Sequence, residues 1–195
     1  MKKIILSGIF CLITAAFCSA QYTKLMDFNG TNGNGPLCTL INSGKVLYGT
    51  AANGGAYNKG LIFKIDTDGT GYKDLFDFND TDGAQPIGTL TQVGEVLFGT
   101  TNYGGAHNKG VMFRMDTNGA GYKDMIDFNS SIEIPYCYLT SSGFILYGTS
   151  VVGGANGAGF IFKIDTDGTG LKDLFDFNGT NGWRPIGGLT LSAGI

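Results

Sequence analysis

Apolar positions in this chain come in short bursts separated by glycine, without the three-to-four spacing of an amphipathic helix. In one burst Val111, Phe113 and Met115 alternate with Met112 and Arg114; in the next, Lys123 and Asp124 interrupt an apolar run. A segment rich in small residues runs from Pro86 to Gln92, and another apolar stretch runs from Glu95 to Thr101. Turn dipeptides separate them: Val93-Gly94, Gly104-Gly105 and Asn118-Gly119. The pattern predicts four strands, over 86–92, 95–101, 110–116 and 122–129, joined by tight antiparallel turns.

The four-strand pattern repeats. Leu47-Tyr48-Gly49-Thr50 returns as Leu97-Phe98-Gly99-Thr100 and as Leu146-Tyr147-Gly148-Thr149. Asp-Phe-Asn begins at Asp27, Asp77, Asp127 and Asp176, and prolines stand at 36, 86, 135 and 185. Four strands per period of about 50 residues is the pattern of a β-propeller blade. A β-solenoid fits less well, because its rungs are parallel and these turns favour hairpins. Three full blades are expected, over about 36–79, 86–129 and 135–178. An outer strand at 22–29 and an inner strand at 185–192 remain, so the expected all-β propeller is incomplete, with an unfinished closing blade.

The first twenty residues have a different character. Lys2 and Lys3 precede an apolar run from Ile4 to Phe17, and Cys18-Ser19-Ala20 supplies small residues before Gln21. This is the three-part signal-peptide pattern, so 21–195 is expected to be the mature repeat region of a secreted or surface protein. No later stretch is long and apolar enough for a membrane helix, so no transmembrane anchor is expected in this chain. Removing Lys2 and Lys3 from 13 basic residues leaves 11 against 16 acidic ones. A mildly acidic surface with scattered lysines argues against nucleic acid as a partner.

Of the four cysteines, Cys38 and Cys137 remain after the leader. Each follows a repeat proline by two residues, so they occupy equivalent places in non-adjacent units. Equivalent places in non-adjacent blades are expected to lie beyond the roughly 7 Å Cα limit of a disulfide, and both are expected to be reduced.

The words Leu-Tyr-Gly-Thr, Gly-Gly, Gly-x-Ile-Phe-Lys-Ile-Asp-Thr-Asp-Gly, Leu-Phe-Asp-Phe-Asn and Asp-Gly-x-x-Pro resemble the GloVer tandem-repeat family of exported bacterial proteins. The resemblance covers essentially all of the chain after the leader. It implies a propeller-like repeat, export and often a C-terminal anchoring or sorting domain, and no established enzymatic activity. The third unit departs from the pattern, with Ser130-Ser131-Ile132-Glu133-Ile134-Pro135 replacing the usual approach to proline.

Several residues invite chemistry. Asp66, Asp68 and Asp74 lie at calcium-loop spacing around Gly69, and Asp165, Asp167 and Asp173 repeat them. Asp-Gly also makes hairpin turns unaided, and that reading is preferred; calcium is otherwise the only cofactor the sequence suggests. His107 is the lone histidine, with no second histidine for a zinc site. The only glutamates, Glu95 and Glu133, do not form an obvious hydrolytic pair. No catalytic residue is assigned.

Variation among the repeats is more informative. The loop between second and third strands and the blade-to-blade connection lie on one face of an up-and-down blade. Tyr57, Tyr103, His107, Trp183 and Arg184 fall there, where the framework stops repeating. Loops on a rigid scaffold are the usual seat of binding, and these side chains suit glycan or protein partners. The expectation is a non-enzymatic exported binding module. The alternatives are part of a carbohydrate-active enzyme whose catalytic residues lie outside this chain, or a purely structural surface repeat.

Overall fold

The computed structural model describes residues 22–129 and 138–192. The leader, the 130–137 approach with Glu133, Pro135 and Cys137, and residues 193–195 lie outside the described residues. What is described is all-β: three four-stranded antiparallel sheets, each in simple sequence order. The first holds β1 (Ile41–Ser43), β2 (Val46–Ala51), β3 (Leu61–Asp66) and β4 (Lys73–Asp77). The second holds β5 (Thr91–Val93), β6 (Val96–Thr100), β7 (Val111–Asp116) and β8 (Lys123–Asp127). The third holds β9 (Thr140–Ser142), β10 (Ile145–Ser150), β11 (Phe160–Asp165) and β12 (Lys172–Asp176).

The sheets meet along their first strands. Strands β5 and β9 are neighbours, and Thr91 Oγ1 donates to Leu139 O at 2.6 Å. The Thr39 N–H likewise reaches Thr89 Oγ1 at 3.3 Å. The sheets therefore radiate from a crowded inner edge as propeller blades do, with β4, β8 and β12 outermost. The inner strands are shorter than expected, since Pro86–Leu90 is extended but outside the ladder. Pro86 has no N–H to contribute, and the Thr89 and Thr91 hydroxyls bond across blades rather than within one.

The core lies between blades. Tyr48, Ile62 and Phe78 of the first blade pack against Leu90, Leu97, Val111, Phe113 and Met115 of the second. Phe98, Met112 and Phe128 pack against Leu146, Phe160, Phe162 and Ile164 of the third. Strand β7 is thus buried on both faces, which is why Val111-Met112-Phe113 is a continuous apolar run. The Leu-Phe-Gly-Thr word is also explained. Gly99 pairs with Phe113 across the ladder, and a Cβ there would lie 2.5 Å from Phe113 Cζ.

Each outer strand carries a bulge, with Met112 opposite Ile126 but Phe113 opposite Asp124. Met125 is the unpaired residue between them; Leu75 and Leu174 are its counterparts. The bulge pushes backbone toward the next blade: Leu75 O would lie 3.1 Å from a Cβ on Gly119, whose φ is +95°. The turn glycine therefore answers both to its own backbone and to its neighbour's bulge.

The flanking segments differ from expectation. Residues 22–29 and 185–192, where the sequence predicts strands, have no ladder partner among the described residues. A strand exists only through its neighbour's hydrogen bonds. Both nevertheless pack as blade parts. Phe28 meets Phe63 edge-on at 5.4 Å, as Phe78 meets Phe113 at 5.4 Å, and Thr149 Oγ1 donates to Gly187 O at 3.1 Å. On β12, Leu174 and Phe175 are 45% and 46% exposed, whereas Leu75 and Phe76 pack against the second blade.

Candidate functional site

A cleft of about 940 Å³ opens between the first two blades. Four segments build it: the β2–β3 loop, the connection after β4, the β6–β7 loop, and β8 through Asp124 and Asp127. The connection is stitched to both loops by backbone hydrogen bonds. Gln85 N donates to Lys59 O at 2.8 Å, Ala84 N to Tyr103 O at 2.7 Å, and Gly105 N to Asp80 O at 2.7 Å. The two variable regions therefore do converge on one face, at a junction held by main chain.

The loops themselves are tied down by residues that repeat. Asp127 Oδ1 accepts the Ala106 N–H at 2.7 Å, as Asp77 does for Ala56 and Asp176 for Ala155. Asn108 Oδ1 accepts Gly104 N–H at 3.0 Å, and Asn58 does the same for Gly54. These account for the aspartate of Asp-Phe-Asn.

Against that frame, four lining residues do not repeat; one, Ala84, is smaller than its counterpart Asn34. Asp80 stands where the preceding unit has Gly30, Gln85 where it has Gly35, and Tyr103 where it has Asn53. Asp80 and Gln85 have φ of +72° and +53°. Left-handed backbone costs a non-glycine residue about 1–2 kcal/mol, less for Asp than for Gln. Lys59 Nζ holds Asp80 Oδ2 at 2.8 Å, with both side chains substantially exposed. Arg184, also just before a proline, has φ +52°, and its guanidinium lies 5.9 Å from the Trp183 ring centroid. The position before the proline thus holds long polar side chains in a conformation that favours glycine.

Below the cleft, Tyr122 links the blades. Its ring stacks on Phe76 at 3.9 Å and 4°. Its hydroxyl lies 2.5 Å from Asp82 O and 2.8 Å from Asp124 Oδ1. The phenol proton is shared between these two acceptors, so Tyr122 ties Asp124 to the Asp82 main chain. Burial, the largest influence, raises the Asp124 carboxyl above the ordinary range; the Tyr122 bond opposes it, and Asp127 and Asp82 add to the rise. Tyr72 repeats the geometry, 2.9 Å from both Asn32 O and Asp74 Oδ1. Leu171 interrupts it in the third blade.

The residues singled out from sequence are distributed unevenly. Tyr103, 49% exposed, lines the cleft. Tyr57 and His107 are exposed on the two loop turns without lining it, and Trp183 and Arg184 stand exposed on the connection after the third blade. Asp68 Oδ1 accepts from Thr70 N and Oγ1 at 2.9 and 2.7 Å. Asp167 does so with Thr169 at 2.8 and 2.7 Å. These bonds hold both carboxyls below the ordinary range. Asp66 and Asp165 anchor the same turns through their backbones. Asp74 is bonded to Tyr72, and burial raises its carboxyl and that of Asp173. Among the described residues, no three acidic, histidine or cysteine side chains are grouped to hold a metal ion. Cys38 is a free thiol, its Sγ 3.1 Å from Thr50 N. No helix among the described residues is long and apolar enough to cross a membrane.

A family model, the Gloeobacter/Verrucomicrobia repeat, matches residues 9–143. The chain belongs to this repeat family. No curated protein matches the chain. Among solved structures, TolB from Acinetobacter baumannii is similar at TM-score 0.52 and 17% identity, over 77% of this chain and 34% of that one. The endo-arabinase from Bacteroides thetaiotaomicron has TM-score 0.46 and 14% identity, over 75% and 58%. A chain of a nidogen/laminin complex has TM-score 0.48 and 15% identity, over 66% and 43%. The chain thus spans between about a third and three fifths of these structures. The TolB likeness shows the fold, a β-propeller.

Proposed function

We propose that this repeat protein is an exported, non-enzymatic module that binds glycans through the loop face of its blades. The observation that carries the reading is the inter-blade cleft, where a repeated frame presents residues that do not repeat. A concave site with a few convergent polar groups is the usual form of a small-ligand site. An exposed tyrosine with amides and carboxylates suits a sugar, whose C–H face lies on the ring while its hydroxyls bond at the edge. Export rests on the leader pattern of residues 1–20.

The test is a glycan array probed with the full chain after leader removal, followed by titration of the hits. Tyr103→Ala should weaken binding at least tenfold with the melting temperature unchanged. A wild-type chain that ignores glycans yet captures a protein ligand through the same loops would replace this reading with a protein partner.

A further inference from the structure

We infer that the cleft between the first two blades is the primary site of this face, that it takes a neutral saccharide, and that Asp80 and Gln85 set its specificity. The inference rests on the glycan reading above and narrows it.

The strongest ground is the comparison of the chain with itself. The preceding unit meets the same two backbone positions with Gly30 and Gly35, at φ +94° and +67°. Glycine adopts that backbone freely. At Asp80 and Gln85 the chain instead keeps side chains in left-handed backbone, and both line the cleft. The stitching itself is main chain to main chain, and of the two side chains only that of Asp80 reaches across the junction, to Lys59. Strained non-glycine residues persist where the side chain is used.

Charge narrows the ligand. Asp80, Asp124 and Asp127 line the cleft against a single cation, Lys59, which is paired to Asp80. An anionic sugar would meet the Asp127 carboxylate, which no cation of the lining balances; a neutral one meets acceptors for its hydroxyls. The Gln85 amide both donates and accepts, so it can engage one hydroxyl in either sense. Lys59 holds the Asp80 carboxylate in place, and the Tyr103 ring forms an apolar wall.

The experiment titrates the full chain with cello-, xylo- and manno-oligosaccharides and with oligogalacturonate of matched length. It uses wild type, Asp80→Gly/Gln85→Gly, and Tyr57→Ala/Trp183→Ala. The glycine pair restores what the preceding unit has, so its fold should survive, as its melting curve will report. Expected are binding of a neutral oligosaccharide, at least tenfold loss in the glycine pair, less than twofold change in Tyr57→Ala/Trp183→Ala, and no oligogalacturonate binding. Equal binding of oligogalacturonate overturns the neutral specificity. If the glycine pair binds as wild type while Tyr57→Ala/Trp183→Ala does not, the face is right and the cleft assignment falls. If no saccharide binds wild type, the glycan reading fails and takes this inference with it.

Discussion

Replacing Tyr122 by Phe keeps the ring and removes only the hydroxyl. The stack on Phe76, at 3.9 Å, and the contact with Phe113, at 5.6 Å, both remain. Lost are the contacts at 2.5 Å to Asp82 O and 2.8 Å to Asp124. A buried acceptor deprived of its donor costs about 1–3 kcal/mol, so about 2 kcal/mol is expected. For a chain of this size that lowers the melting temperature by about 4–8 °C. The partner substitution, Asp124→Asn, tests which influence on the carboxyl prevails, burial or the Tyr122 bond. With the folded-state value raised by burial, folding binds protons above the ordinary carboxylate range, so this group's contribution is fully present at low pH. It falls as pH rises through the raised value. The Asn variant, neutral throughout and able to donate to the phenol oxygen, should match wild type at acid pH and gain on it as pH rises. Circular-dichroism melts of wild type, Tyr122→Phe and Asp124→Asn between acid and neutral pH provide the assay. A variant Asp124→Asn that loses ground to wild type as pH rises would mean that donation from Tyr122 outweighs burial at Asp124, and would refute the reasoning.

Other predictions concern single positions. Gly99→Ala forces a methyl against Phe113 and should destabilise by about 1–3 kcal/mol in urea unfolding, with the m-value unchanged. Gln85→Gly relieves left-handed backbone, offset by the greater freedom of an unfolded glycine. It should stabilise by up to about 1 kcal/mol in the same assay, even as binding falls. Because Thr70 and Thr169 already satisfy Asp68 and Asp167, EDTA should leave the melting temperature unchanged; a drop of several degrees would restore calcium to these turns.

The blade was legible because its constraints recur every period. Gly99 facing Phe113, Asp127 tying Ala106 and Phe128 filling the next junction each left a repeated letter. The inner strand was less so: 86–92 reads as a strand, but the ladder holds only Thr91–Val93, and Pro86 has no N–H to give it. The site lay deeper. Tyr103 stands out in the sequence as a departure from the frame, whereas Asp80 is not singled out there. Its value comes from Lys59 and Gly105, brought to it by folding and distant in sequence. A signal was nonetheless present. Positions held by glycine in the first unit carry Asp and Gln in the second.

The burial of β7 on both faces has a consequence for how such a chain is assembled. A single blade has no interior: its apolar side chains point away from it, toward two neighbours. The cooperative unit is therefore the junction, and stability accumulates per interface in the manner of a one-dimensional lattice. Hairpins form locally and early, but they become committed only when a second blade closes over Phe78 or Phe128. Damage at one interface should accordingly loosen two blades and spare the far one, and hydrogen exchange would report the chain opening in steps of a junction.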